Sequence, residues 1–489
     1  MDSVISSAYA GSVAVKQSRF NVRVPLKADR ALLFNSLTQA LMLIEKPDTD
    51  WLDSMPDGFA RPYSAALATF LSAGVLVESD IDEVARFGNN FDERRASPDF
   101  LAITIATTLA CNLGCTYCFQ GANKPSGNLD DATTKGVVKY LDTNIDGLTR
   151  LAVTWYGGEP LMNQRAIKDI SKALRERCAE HDINYSSSII TNGYLLTPAV
   201  ADMLVENGVT SAQITIDGVG ETHDVMRPHI SGRGSFSRIM ANVRDVLAQS
   251  NLYLALRITL SEINKESVEQ LLQLLDDDEL KGTGRLSVYF APVEAITSDC
   301  ASAEAQSLKK AEYAKLEIDL IAKAVRLGLA RLSPTMPLLS LCQALHPKSI
   351  VITPSGDVHK CWDTVQDPEK AVGRLASGDS TDFSQDRWLS WTPLKSSVCS
   401  SCRILPLCGG GCAFKSVHHG EASDEPGALP CPSIKFNLAE RLFFTAKQAG
   451  LVNDNDWDVA VSPTVTADGV LKTGRRHDYA SISELALAI

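Results

Sequence analysis

"LAITIATTLACNLGCTYCFQ" (residues 101–120) decides how this chain is read. Its first eight residues, LAITIATT, are apolar and β-rich, the pattern of a buried strand. Cys111, Cys115 and Cys118 follow, three thiols within eight positions. They sit on the loop at the C-terminal end of the strand, the face where βα-barrels place their chemistry. A closed structural metal site usually takes four protein ligands. The stretch therefore needs a fourth ligand far off in sequence, as a zinc site would, or it leaves one position open. Three thiolates can hold one corner of an iron–sulfur cube and leave one iron free to chelate a small molecule. Gly114 is expected to let this loop bend, and Tyr117 to set a ring beside it.

The next strand ends in "WYGGEP" (155–160). Gly157 and Gly158 would expose backbone groups to a ligand. Glu159 offers a carboxylate suited to a ligand ammonium. Around these two loops the grammar is repetitive. Strands are expected at 101–108, 151–158, 186–193, 211–218, 253–260 and 285–293, with helices between them, for example at 134–145 and 266–280. Six βα units in sequence imply a parallel sheet covered by helices. Along the fifth strand Leu252, Leu254, Leu256, Ile258 and Leu260 share one face, and Tyr253, Ala255, Arg257 and Thr259 the other. A polar inner face suits a barrel whose lumen holds a ligand better than a sheet packed by helices on both sides.

The chain has 489 residues, 45% of them hydrophobic and 22% charged, and a formal net charge of −12. That charge argues against nucleic acid as the main partner. No run of about 18 apolar residues suggests a membrane span. The first 20 residues lack a basic start followed by an apolar core, so no signal peptide and a cytoplasmic location are expected. Twelve cysteines in such a chain point to metal ligation rather than disulfides. Seven of them, Cys342, Cys361, Cys399, Cys402, Cys408, Cys412 and Cys431, lie in a segment rich in Gly, Pro and Ser that lacks the pattern for a core of its own. Metal centres would supply the missing cross-links. A zinc ribbon from C-x2-C and C-x3-C is the simpler alternative, but seven cysteines exceed one such site. Cys178 and Cys300 read as ordinary buried thiols, and His418 and His419 as surface residues.

The C-x3-C-x2-C loop with an aromatic before its last cysteine, followed by GGE, resembles the signature of radical S-adenosylmethionine (SAM) enzymes. Over residues 100–295 the resemblance implies a partial (β/α)6 TIM-like barrel. It implies a [4Fe–4S] cluster on Cys111, Cys115 and Cys118, S-adenosylmethionine on the open iron, and a 5′-deoxyadenosyl radical that takes hydrogen from a substrate. Candidate roles then follow for inward polar residues: Arg257 on the methionyl carboxylate, Asn192 on carboxylate or ribose, Thr215 on the ribose, and Asp217 as a substrate contact or proton acceptor. The later cysteines resemble a SPASM domain. By that resemblance Cys399, Cys402, Cys408 and Cys431 ligate one auxiliary [4Fe–4S] cluster, and Cys342, Cys361 and Cys412 another, three clusters in all. The second auxiliary group is again one ligand short, with Cys300 or His346 as candidates.

The N-terminal segment reads as a hairpin (19–26 with 31–37), a short helix over 38–45, a helix over 64–74 and a strand over 75–79. This order resembles the winged-helix-like leader-recognition modules of peptide maturases. The expected division is residues 1–98 for that module, 99–298 for the barrel, 299–450 for a bridging helix and Cys-rich iron–sulfur domain, and 451–489 for a tail. The implied activity is maturation of a ribosomally made precursor peptide carrying a leader, by installing a thioether or carbon–carbon crosslink. A donor such as flavodoxin or ferredoxin would supply electrons. The alternatives are a sulfatase-maturating, formylglycine-generating enzyme and a non-catalytic zinc-rich scaffold.

Overall fold

The N-terminal hairpin forms as the alternation demands. In the computed structural model, which describes residues 13–57, 59–61, 65–121, 124, 126–331, 341–375, 383–418, 430–457, 462–465 and 471–474, strands β1 (Val13–Gln17), β2 (Asn21–Pro25), β3 (Ala31–Asn35) and β4 (Leu41–Ile44) open the chain. β2, β3 and β4 make one antiparallel meander. The helix expected over 38–45 is therefore a strand. A short apolar run such as LMLI carries no period of its own, and pairing with β3 decides its state. β5 (Phe59–Arg61) and β6 (Leu76–Glu78) flank β1 in a second small sheet. The expected helix appears as Ala65–Ser72, and Gly74 after it adopts φ +71°, the usual device for leaving a helix. Asp82 caps a further helix, Glu83–Arg95, by accepting from the backbone of Val84 and Ala85.

This module is joined to the Cys-rich segment by side-chain contacts with backbone. Arg19 Nη2 donates to Ser400 O at 2.8 Å, and Arg403 Nη1 donates back to Asn21 O at 3.1 Å. Arg95 donates to the carbonyls of Leu389 and Trp391.

All six expected barrel strands are present: β7 (Phe100–Thr108), β8 (Arg150–Gly157), β9 (Asn184–Thr191), β10 (Val209–Ile216), β11 (Tyr253–Leu260) and β12 (Leu286–Pro292). They are parallel and pair in sequence order. β13 (Ile350–Ile352) adds in parallel beside β7 and is followed by antiparallel β14 (Asp357–His359) and β15 (Gly373–Arg374). This nine-stranded, mostly parallel sheet is consistent with a partial barrel. Helices cover its apolar face, where Leu252, Leu254, Leu256, Ile258 and Leu260 are fully buried. The helix expected over 266–280 is split into Ser267–Leu275 and Asp278–Lys281, because Asp277 turns to cap the second piece.

Register organises the polar face into rows. Thr215, Arg257 and Tyr289 stand side by side across β10, β11 and β12. Two levels below, beneath a row of Ile190, Gln213 and Ala255, the small hydroxyls of Thr104, Thr154, Ser188 and Ser211 run across β7 to β10. The upper row faces a cleft of about 390 Å³ and the lower row a cavity of about 590 Å³. Among the described residues no helix is long and apolar enough to cross a membrane.

Candidate active site

The Cys111–Cys118 loop is shaped by a backbone ladder to residues 226–230. Gly114 N donates to Pro228 O at 2.8 Å, Thr116 N to Met226 O at 3.0 Å, and Ile230 N to Asn112 O at 3.0 Å. Cys111, Cys115 and Cys118 all line the upper cleft. Burial pushes the Cys111 thiol up and the Cys115 thiol up to about 11, so each stays protonated until a cation offsets the charge.

The glycines divide differently from expectation. Gly114 has no left-handed φ, and a Cβ there would meet Pro228 O at an ordinary 3.9 Å, so the bend does not require it. Gly157 and Gly158 are required, but by the protein rather than by a ligand. A Cβ on Gly157 would lie 2.0 Å from Thr108 O, and one on Gly158 would lie 2.2 Å from Ala110 O. Gly158→Ala is therefore expected to displace the cysteine loop and lower bound iron, while Gly114→Ala leaves iron content unchanged and the unfolding free energy within about 1 kcal/mol of wild type. Iron analysis and denaturant titration read both. Equal effects of the two changes would contradict the packing argument.

Glu159 does not reach the cleft. It is fully buried, and Thr191 Oγ1 (2.7 Å), Asn192 N (2.7 Å) and Leu161 N (3.0 Å) donate to its carboxylate. Burial raises its carboxyl and these donors oppose the rise. Glu159 thus ties the end of β8 to the end of β9 instead of facing a ligand ammonium. Through it Asn192 is set against the cysteine loop, where Asn192 Nδ2 donates to Asn112 Oδ1 at 2.7 Å and lies 3.7 Å from Cys111 Sγ. Asp217 is also withdrawn: it is fully buried, Tyr117 Oη donates to one of its oxygens and Thr259 Oγ1 to the other. It does not line the cleft in which it was expected to meet a substrate. Thr215 and Arg257 do line the cleft, and Arg257 has no carboxylate partner among the described residues.

Tyr117 belongs to a group that sequence reasoning missed. Arg227 Nη1 donates to Tyr117 Oη at 2.8 Å, and Arg227 is 7% exposed, on the wall of the cleft. The signal was a charged residue shortly after the end of β10, in "HDVMRPH" (223–229). Asp363, two residues after Cys361, also lines the cleft. Burial pushes its carboxyl up to about 6. Phe119, Tyr156 and Trp362 stack across one wall, with ring centroids 6.5 and 5.6 Å apart.

The later cysteines are gathered in two places. Cys399, Cys402, Cys408 and Cys431 line one small cavity, and Cys342, Cys361 and Cys412 line the lower lumen. Gly409, Gly410 and Gly411 send neighbouring thiols to different places. Their φ values of +56°, +88° and +80° wrap the chain so that Cys408 serves the first group and Cys412 the second. Gly410 N donates to Cys408 Sγ at 3.4 Å and Lys435 Nζ to Cys431 Sγ at 3.6 Å. Among the described residues no three His, Cys, Asp or Glu converge on one point as a single metal ion needs. Each thiol group instead lines a space of its own. All twelve cysteines are free. Cys178 and Cys300 are buried thiols, as expected. His418 is not a free surface residue, since it packs on Trp388 and Phe414; His419 lies outside the described residues.

Comparison with known proteins agrees with this geometry. Residues 105–275 match the model of the Radical SAM superfamily. The serine-type anaerobic sulfatase-maturating enzyme of Klebsiella aerogenes is 23% identical over 331 residues, covering 62% of this chain and 77% of that protein. The sporulation killing factor maturation protein SkfB of Bacillus subtilis is 23% identical over 173 residues, covering 35% of this chain and 39% of SkfB. Most other curated relatives are likewise spanned over less than half their length. The structure "Native anSMEcpe with bound AdoMet and Kp18Cys peptide" aligns with a TM-score of 0.54 and 18% identity, covering 72% of this chain and 98% of that one, which is a likeness of fold. The three-thiol loop lies inside the matched segment, at the strand end where the polar lumen opens, and residues 105–275 accordingly carry a radical SAM domain in a chain related to maturases.

Proposed function

We propose that this enzyme matures a ribosomally made precursor peptide by installing a crosslink. The observation that carries the reading is the conjunction of three separate thiol groups with an N-terminal module docked beside them. In this reading Cys111, Cys115 and Cys118 hold the [4Fe–4S] cluster to which S-adenosylmethionine binds, and that pair supplies hydrogen-atom abstraction. Arg257 receives the methionyl carboxylate, since its guanidinium lines the cleft with no ion pair among the described residues and matches a carboxylate fork. Thr215, beside Arg257 in register, meets the ribose. Asn192 and Tyr117 hold the cysteine loop, and the backbone at Gly157 and Gly158 closes the wall behind it. Cys399, Cys402, Cys408 and Cys431 hold one auxiliary cluster and Cys342, Cys361 and Cys412 the other. An electron donor such as flavodoxin or ferredoxin serves them in the cytoplasm, a compartment that keeps the thiols reduced.

Residues 13–95 are the proposed leader-recognition module. β4 is an edge strand of its meander, and a sheet edge can take an extended peptide through main-chain hydrogen bonds. SkfB is named as a sporulation killing factor maturation protein, and the aligned anSMEcpe structure carries a peptide. Sulfatase maturation is the second reading, favoured by the longer alignment to the Klebsiella aerogenes enzyme. Mass spectrometry of a precursor encoded beside this gene, with and without its leader, separates the two. The expected product has lost two hydrogens and is inert to hydrazide, and removing the leader weakens binding about tenfold or more. A hydrazide-reactive aldehyde, or equal binding of the leaderless peptide, would count against the crosslinking reading.

A further inference from the structure

We propose that Asp363 is the fourth protein ligand of the auxiliary cluster held by Cys342, Cys361 and Cys412. The inference rests on the proposal that those three cysteines hold a cluster. Cys342, Cys361, Cys412 and Asp363 line the same cavity, so the carboxylate shares their space. Cys361 Sγ lies 3.6 Å from Asp363 Oδ2, as a thiol donating to a carboxylate. A bound cluster would take Cys361 as its thiolate, the proton passing to solvent, and Asp363 Oδ2 would stand beside that sulfur as a second donor atom, an oxygen. Asp363 is within electrostatic reach of all three thiols.

The two candidates raised by the sequence are committed elsewhere. His346 Nε2 meets Ser97 O at 2.9 Å and its Nδ1 accepts from Lys348 N at 3.2 Å. Cys300 Sγ donates to Thr297 O at 3.4 Å, and neither residue lines the cavity. Lys360, the cation of the cavity wall, is held by the carbonyls of His346 and Ser349 and by Gln385. A carboxylate also carries the same charge as a thiolate. A cluster bound this way keeps the net charge of an all-cysteine one, which neither histidine nor water would do, and net charge sets the potential.

The test uses full-length protein with Cys111, Cys115 and Cys118 replaced by Ala, reconstituted with iron and sulfide. About eight irons per chain in that background support the two auxiliary clusters themselves, and an absence of iron there would refute that underlying reading instead. On top of it, Asp363→Ala is expected to lower iron to about seven and convert one cluster to a three-iron form, visible by EPR in the oxidised state. The second cluster's signal stays unchanged and reports that the domain is folded. Asp363→Cys is expected to restore about eight irons with an altered reduced-state spectrum. Iron content and spectra identical to the parent in both variants would overturn the assignment.

Discussion

Replacing Cys111, Cys115 and Cys118 together by Ala is expected to abolish 5′-deoxyadenosine formation while leaving about eight irons per chain on the two remaining thiol groups. The three residues share one loop and line one cleft, and none of them lines the cavities of the other seven cluster-forming candidates. Loss at the first site therefore has no direct route to the others. Chromatographic detection of 5′-deoxyadenosine with dithionite as reductant, beside iron and sulfide analysis, reads both halves. Cofactor cleavage surviving in the triple variant would refute the assignment of the loop.

The second large effect is expected at Arg227. Its guanidinium is buried, donates to Tyr117 Oη, and through that hydroxyl faces the fully buried Asp217. Burial pushes the Tyr117 hydroxyl far up, so it remains a neutral bridge between the two charges. Arg227→Met leaves Asp217 uncompensated in the interior, a situation that costs about 3–5 kcal/mol. The Arg227→Met/Asp217→Asn double variant is expected to recover more than half of that loss, because it removes both charges together. Denaturant titration of the four proteins closes the cycle. A single Arg227→Met change costing under about 1 kcal/mol would show that the charges are not coupled.

The barrel and the Cys111–Cys118 loop were legible because both are written locally. A strand announces itself by alternation, and a cluster loop by cysteine spacing, within a dozen residues. What escaped was assembled at long range. Arg227 gains its role from a ladder between residues 112–116 and 226–230, which no window around either segment contains. Glu159 and Asp217 look like ligand-facing carboxylates in sequence, since each ends a strand on the chemical face. Their donors, Thr191, Asn192, Tyr117 and Thr259, come from other loops and strands, and only the fold turns them into buried supports. β4 was misread for a related reason: four apolar residues fit helix or strand until a partner strand is known.

The contacts that fasten the N-terminal module to the Cys-rich segment, from Arg19, Arg95 and Arg403, bear on how the proposed substrate is measured out. A leader seated on that module would be held near the Cys-rich segment by these contacts. The only slack between the anchored leader and the cleft is then the peptide's own intervening stretch, whose reach grows roughly as the square root of its length. Such an enzyme works as a ruler: residues too near the leader fall short of the cleft, and those far beyond it are seldom presented. Choice of the modified residue becomes a property of chain length in the substrate rather than of motion in the enzyme.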